Sequence, residues 1–238
     1  MTRASGTIDN YRFGTLLVTL MLMMLLSPIL YLFNETIASI LITILYFAVF
    51  ASAVFAVSKT RLAVIIASTL AIPAIICQCL RLFFEMKFLV IITHIIGVVF
   101  LAWVIITITN NFRDIQSVNL NTILASLSVY LLLGLLWSLL YSLIEIFQPN
   151  SFVISAGAYT QQELMEFGGA KTIIPLYYSF VTMTTLGYGD IVPISPLARM
   201  LAIIQAIIGQ FYLVVLVAWL VGMYIARTSM NFKSDTSE

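Results

Sequence analysis

Six stretches of this 238-residue chain stay apolar for longer than an ordinary core element requires, at about 13–33, 36–57, 62–80, 88–109, 121–147 and 196–226. Roughly 18 such residues are enough for a helix to cross the ~30 Å hydrocarbon core of a bilayer. The whole chain is 62% hydrophobic and only 9% charged, against roughly 25% charged residues in a soluble domain. No soluble fold hides that much apolar surface. The sequence therefore predicts an all-α integral membrane protein with six spans in the lipid bilayer. A formal net charge of +1 gives no reason to expect a nucleic-acid or acidic partner. No constellation of nucleophile, base and carboxylate and no metal-ligand set stands out, so neither an enzyme nor a cofactor is expected.

Lys and Arg counts set the orientation. Arg3, Arg12, Lys59, Arg61, Arg113, Arg227 and Lys233 fall on one side of the spans, and Arg81, Lys87, Lys171 and Arg199 on the other. Seven against four favours both termini in the cytoplasm of a multi-pass protein of the cell membrane. The first run is too long for the apolar region of a secretory signal and lacks a clear small-x-small cleavage site, so it reads as a span. Cys77 and Cys79 sit two apart in an apolar helix, where their side chains diverge, and read as small hydrophobes. Asn34-Glu35-Thr36 matches a glycosylation sequon, in a very short outside loop. Pro28 and Pro73 are expected to kink their helices.

The stretch 148–196 differs from the rest. Pro149, Gly157, Gly168 and Gly169 stand among polar residues, followed by a short apolar run with Pro175 near its start, a position that suits the first turn of a helix. Next come Thr184-Thr185-Leu186-Gly187-Tyr188-Gly189-Asp190 and the last span. Non-helical backbone at membrane depth is tolerated only where protein buries it or it lines an aqueous cavity. A re-entrant loop is the consequence.

From Tyr177 to about Gly222 the chain resembles the potassium-channel family, whose usual signature is Thr-Val-Gly-Tyr-Gly. The resemblance is to a prokaryotic-type six-transmembrane subunit with one pore loop. It implies three domains: a four-helix unit at 1–110, a cytoplasmic linker at 111–120 and a pore domain at 121–238. It further implies that Thr185, Leu186, Gly187, Tyr188 and Gly189 line a selectivity filter, with potassium ions held at Thr185, Leu186, Gly187 and Tyr188 by rings of oxygens that replace the hydration shell. Gly187 and Gly189 supply backbone angles that side chains resist, and Tyr188 is expected to brace the loop from behind. Thr184, Tyr178 and Asp190 are the expected supports. Val181 occupies a position where several relatives carry a carboxylate, which leaves Tyr178 as the expected donor to Asp190. Leu186 replaces the commoner Val without altering the carbonyl. One loop per chain implies three further identical subunits, a homotetramer.

In the last span, Gly209 falls where the family often has a hinge glycine, and either bending or close packing accounts for it. Counting by threes and fours from Gln210 gives Leu213, Val217, Val221 and Ile225, which by resemblance face an inner cavity or gate. Packing on helices or lipid accounts for the stripe equally well. The fourth span carries no Arg or Lys between Phe88 and Thr109. Moving one charge through 100 mV contributes only about 2.3 kcal/mol, so no conventional voltage sensor is expected there. His94 reads as a neutral hydrogen-bonded residue, with proton sensing as the alternative. The gating stimulus and any regulatory partner stay open. A potassium-transporter subunit is the alternative reading of the chain, although those relatives usually carry four loops with degenerate filters.

Overall fold

The computed structural model describes residues 3–32, 35–58, 61–84, 86–112, 119–154 and 173–235. Among the described residues seven α-helices follow one another: α1 (Arg3–Leu26), α2 (Glu35–Ala56), α3 (Arg61–Leu80), α4 (Lys87–Asn111), α5 (Leu120–Phe147), α6 (Ile173–Met183) and α7 (Pro196–Asp235). Six of them, all but α6, are long and apolar enough to cross a membrane. Two three-residue strands depart from the all-helical expectation, β1 (Phe152–Ile154) and β2 (Ile191–Pro193). They pair antiparallel with Val153 opposite Val192. The sequon's Asn34 and the centre of the expected linker, residues 113–118, lie outside the described residues.

Local chemistry sets the helix ends. Asn119 caps α5, its Oδ1 accepting from the Thr122 N–H at 2.9 Å and the Thr122 hydroxyl at 3.0 Å. Ser195 caps α7 by accepting from Ala198 N–H at 3.2 Å, and Pro196 takes the first helical position, where its missing N–H leaves no bond unmade. Pro28 ends the first α-helix rather than bending it. The segment from Ser27 to Leu32 continues as a 3₁₀ helix, because proline lacks the N–H that would continue the α ladder. Pro73 is accommodated inside α3. The last helix runs on to Asp235, past the expected end of the span near residue 226.

Helices α1 to α4 pack in sequence order, and both α1 and α4 lean on α5. Their shared core includes Leu16, Phe50, Phe100, Leu101, Val104, Leu132 and Leu135, all buried, with Phe50 and Phe100 stacked at 4.4 Å. The Thr19 and Ser52 hydroxyls meet at 2.7 Å across α1 and α2, and either can be the donor. At the end of α4, Phe112 stacks on Trp219 of α7 at 5.7 Å. The residue that caps α4 thus touches the last helix directly.

Candidate functional site

The site is built on α6 and the loop from Thr184 to Asp190. Proline at the third position of α6 leaves no helical bond unmade, and Ile174, Leu176, Tyr178, Ser179, Val181 and Met183 are buried. What fixes the helix is a polar chain inside an apolar core. The Ser179 hydroxyl donates to the carbonyl of Gly134 on α5 at 2.6 Å. Gln205 on α7, fully buried, donates from Nε2 to the Ser179 hydroxyl at 2.7 Å and to its carbonyl at 3.0 Å. Its Oε1 accepts from the Tyr141 hydroxyl at 2.5 Å. Every member has a partner, so the chain joins α5, α6 and α7 without an orphaned group. The sequence reading missed Ser179, Gln205 and Tyr141. The available signal was Gln205, an amide inside an otherwise apolar span.

Two glycine contacts close the packing. A Cβ on Gly134 would collide with the Phe180 ring. One on Gly209 would lie 2.6 Å from both the Met183 carbonyl oxygen and its Cγ, so close packing against the end of α6 accounts for Gly209. α7 runs as one helix through that position.

The end of α6 sets the loop. Thr185 has φ 58°, its N–H bonds the Thr182 carbonyl at 3.0 Å, and the next N–H, of Leu186, reaches back to Val181 O at 3.0 Å. This is a Schellman cap with threonine in the left-handed position usually taken by glycine. Positive φ then recurs at Gly187 (58°) and Gly189 (80°), while Leu186 and Tyr188 stay negative. Around both glycines a Cβ would meet nothing within 4 Å. Backbone angle, not space, is what requires glycine there. The Thr184 hydroxyl turns back to Phe180 O at 2.7 Å, and Gln210 Nε2 stands 3.4 Å from the Thr185 hydroxyl.

Asp190 corrects one expectation. Its Oδ2 accepts from Tyr177 at 2.6 Å, not from Tyr178, and its Oδ1 accepts from Ile191 N–H at 3.0 Å. Tyr178 points the other way, edge-on against Tyr141 at 4.9 Å and Phe152 at 5.1 Å, because adjacent helical residues face about 100° apart. Tyr188 is 67% exposed and Leu186 55%, so Tyr188 is not packed behind the loop as expected.

The far side of the loop is held by the strands. Glu145, buried near the end of α5, accepts from Asn150 N–H at 2.8 Å and Ser151 N–H at 3.0 Å, and Ser151 O accepts from Ile194 N–H at 2.8 Å. The loop is thereby clamped between the α6 cap and the two-stranded sheet. Val217, Val221 and Ile225 are exposed along α7 and Leu213 partly so. Phe211, Val214 and Val215 are exposed too, so exposure alone does not single out the expected stripe. Among the described residues, no group of His, Cys, Asp and Glu could hold a metal ion. Cys77 and Cys79 are free thiols.

No curated protein and no solved structure matches the chain. Residues 123–226, covering most of α5, all of α6 and the loop, and most of α7, match a family model described as an ion channel, and that family is one of ion channels rather than of enzymes.

Proposed function

We propose that the chain is one of four identical subunits of a potassium-selective channel of the cell membrane, with both termini cytoplasmic, conducting potassium passively through the loop from Thr185 to Gly189. The alternating sign of φ at Thr185, Leu186, Gly187, Tyr188 and Gly189 carries this reading. In a regular strand successive residues share one backbone region and their side chains alternate. Reversing the handedness at every second residue undoes that alternation for the carbonyls, which favours a column of oxygens facing one axis. Such a column can replace the water shell of a potassium ion. The α6 macrodipole adds about half a negative charge at the end nearest the loop.

Two observations support further copies around that axis. The loop from Thr184 to Gly189 is exposed in the single chain, and exposed irregular backbone cannot face lipid. The spanning part of α7 is only 11% buried, whereas α5 is 61% buried. Neighbouring subunits around a water-filled path give both surfaces an environment, and they supply the support behind Tyr188 that its own chain lacks. Planar-bilayer recording of the purified protein in mixed potassium and sodium solutions tests the proposal. A reversal potential that follows the potassium gradient is expected, and comparable permeability of the two ions would refute it.

A further inference from the structure

A cavity of about 220 Å³ lies between α2, α3 and α4 and reaches Leu139 of α5. Its two ends differ in chemistry. Where α3 stops, the walls are Thr43, Tyr46, Gln78 and Arg81; deeper along the helices they are Phe50, Ala74, Gly97 and Leu139. His94 also lines the cavity, but its Nδ1 bonds back to the Val90 carbonyl of its own helix at 2.8 Å.

The polar end is organised around a cation. Arg81 donates from Nη1 to Gln78 Oε1 at 3.1 Å, Gln78 Nε2 donates to Thr43 at 3.4 Å, and Thr43 donates on to Ser39 O at 2.8 Å. Tyr46 lies within electrostatic reach of the same guanidinium. A guanidinium carries five N–H donors, enough to keep its partners and take a carboxylate as well, and its fork matches the two carboxylate oxygens. The slot is therefore cationic at its rim and apolar in its depth, the complement of an amphiphile with an anionic head.

We propose that this slot binds a single-chain carboxylic acid of about eight carbons, its carboxylate accepting from the Arg81 guanidinium and its chain lying between α2, α3 and α4. The volume is about half again that of a cavity that admits one benzene, room for one chain rather than two. Length follows from the helix: Ala74 and Arg81 stand about 10 Å apart along α3, and an extended chain advances about 1.2 Å per bond. Entry is from the side, where Ile44 and Phe47 are each 55% exposed on apolar helix α2 and a ligand dissolved in lipid arrives by partition. Bound there, the chain end reaches the junction of the four-helix unit with α5, where a Cβ on Gly97 would lie 2.9 Å from Leu139 Cδ1.

The test is photolabelling of the full chain in zwitterionic lipid nanodiscs with an octanoic acid bearing a diazirine near its methyl end, alongside the methyl ester of the same probe at equal membrane-bound concentration. A pH of about 8 keeps the acid ionised. Mass spectrometry should place the acid's label at Phe50, Ala74 or Leu139, and excess plain octanoate, but not acetate, should suppress it. Arg81→Gln and esterification of the probe should each weaken labelling by about tenfold, the loss of a charge-assisted hydrogen bond, and Arg81→Lys should weaken it less because the charge is kept. Equal labelling by acid and ester overturns the proposal even if the Arg81 variants fail to fold. Suppression by acetate, or labelling outside the slot, overturns it as well.

Discussion

Replacing Gln205 by leucine removes the centre of the polar chain that positions α6, and the size of the effect follows from what is stranded. The amide donates twice to Ser179 and accepts once from Tyr141. Ser179 keeps its bond to Gly134 O, so its loss is about 1 kcal/mol of net hydrogen bonding. The Tyr141 hydroxyl, in a fully buried residue, loses the acceptor it has in Gln205 and incurs about 2 kcal/mol of uncompensated desolvation. Gln205→Leu should therefore destabilise the folded chain by about 3 kcal/mol, two decades in the folding equilibrium. Adding Tyr141→Phe removes the stranded hydroxyl, so the double variant should cost only about 1 kcal/mol, less than the single one. Denaturant unfolding in detergent micelles, followed by near-ultraviolet circular dichroism for tertiary packing, measures all three variants. If the two substitutions simply add, the chain of bonds is not a coupled network and its assignment as the anchor of α6 is wrong.

Gly187→Ala should abolish conduction while leaving membrane insertion and oligomeric state intact, because φ is 58° and nothing crowds the position; the left-handed backbone costs alanine about 1–2 kcal/mol, and wild-type unitary currents would disprove this. Gly209→Ala should lower thermal stability despite alanine's better helix propensity of about 1 kcal/mol, since the methyl group meets the Met183 carbonyl and overpacking costs about 1–3 kcal/mol. Unchanged stability with slowed gating would point back to a hinge. If the apolar stripe on α7 forms a dewetted gate, Val221→Asn should wet it and raise open probability without altering selectivity. Unchanged open probability, with cytoplasmic thiol reagents still reaching cysteines introduced at 217 and 221 in closed channels, would place the gate at the loop.

How much of this was legible in the sequence depends on the range of the interaction. The spans follow from run length, and the loop from residue types that act locally: Gly187 and Gly189 at positive φ and proline near the start of α6. Contacts across the core are different. Gln205 meets residues 26 and 64 positions away, and in helices apolar on every side no periodicity tells which face meets which neighbour. Tyr177 and Tyr178 show the same limit at one residue's resolution. Both can donate to a carboxylate, and only the rotation of α6 about its axis turns one toward Asp190 and buries the other. Gly209 was ambiguous for a related reason, since bending and close approach both favour glycine and only the position of Met183 separates them.

Thr185 is where local stability and the proposed function conflict. Its left-handed backbone costs about 1–2 kcal/mol for a residue with a Cβ, and glycine, the common choice at that position of a Schellman cap, would remove the cost. Threonine also brings no compensating burial, being exposed in the single chain, and its contact with Gln210 is long at 3.4 Å. What it adds is a hydroxyl at the point where α6 ends and the alternating backbone begins, one oxygen ahead of the carbonyls of Leu186, Gly187 and Tyr188. In the proposed channel, an ion shedding water on entry to the column would take its first replacement ligand there. Strain held at one residue while the cap, the Asp190 bonds and the strand pair fix the rest of the loop is the distribution expected of a site whose geometry is imposed by its surroundings. The strain is therefore better explained by a role for the hydroxyl than by any need of the fold.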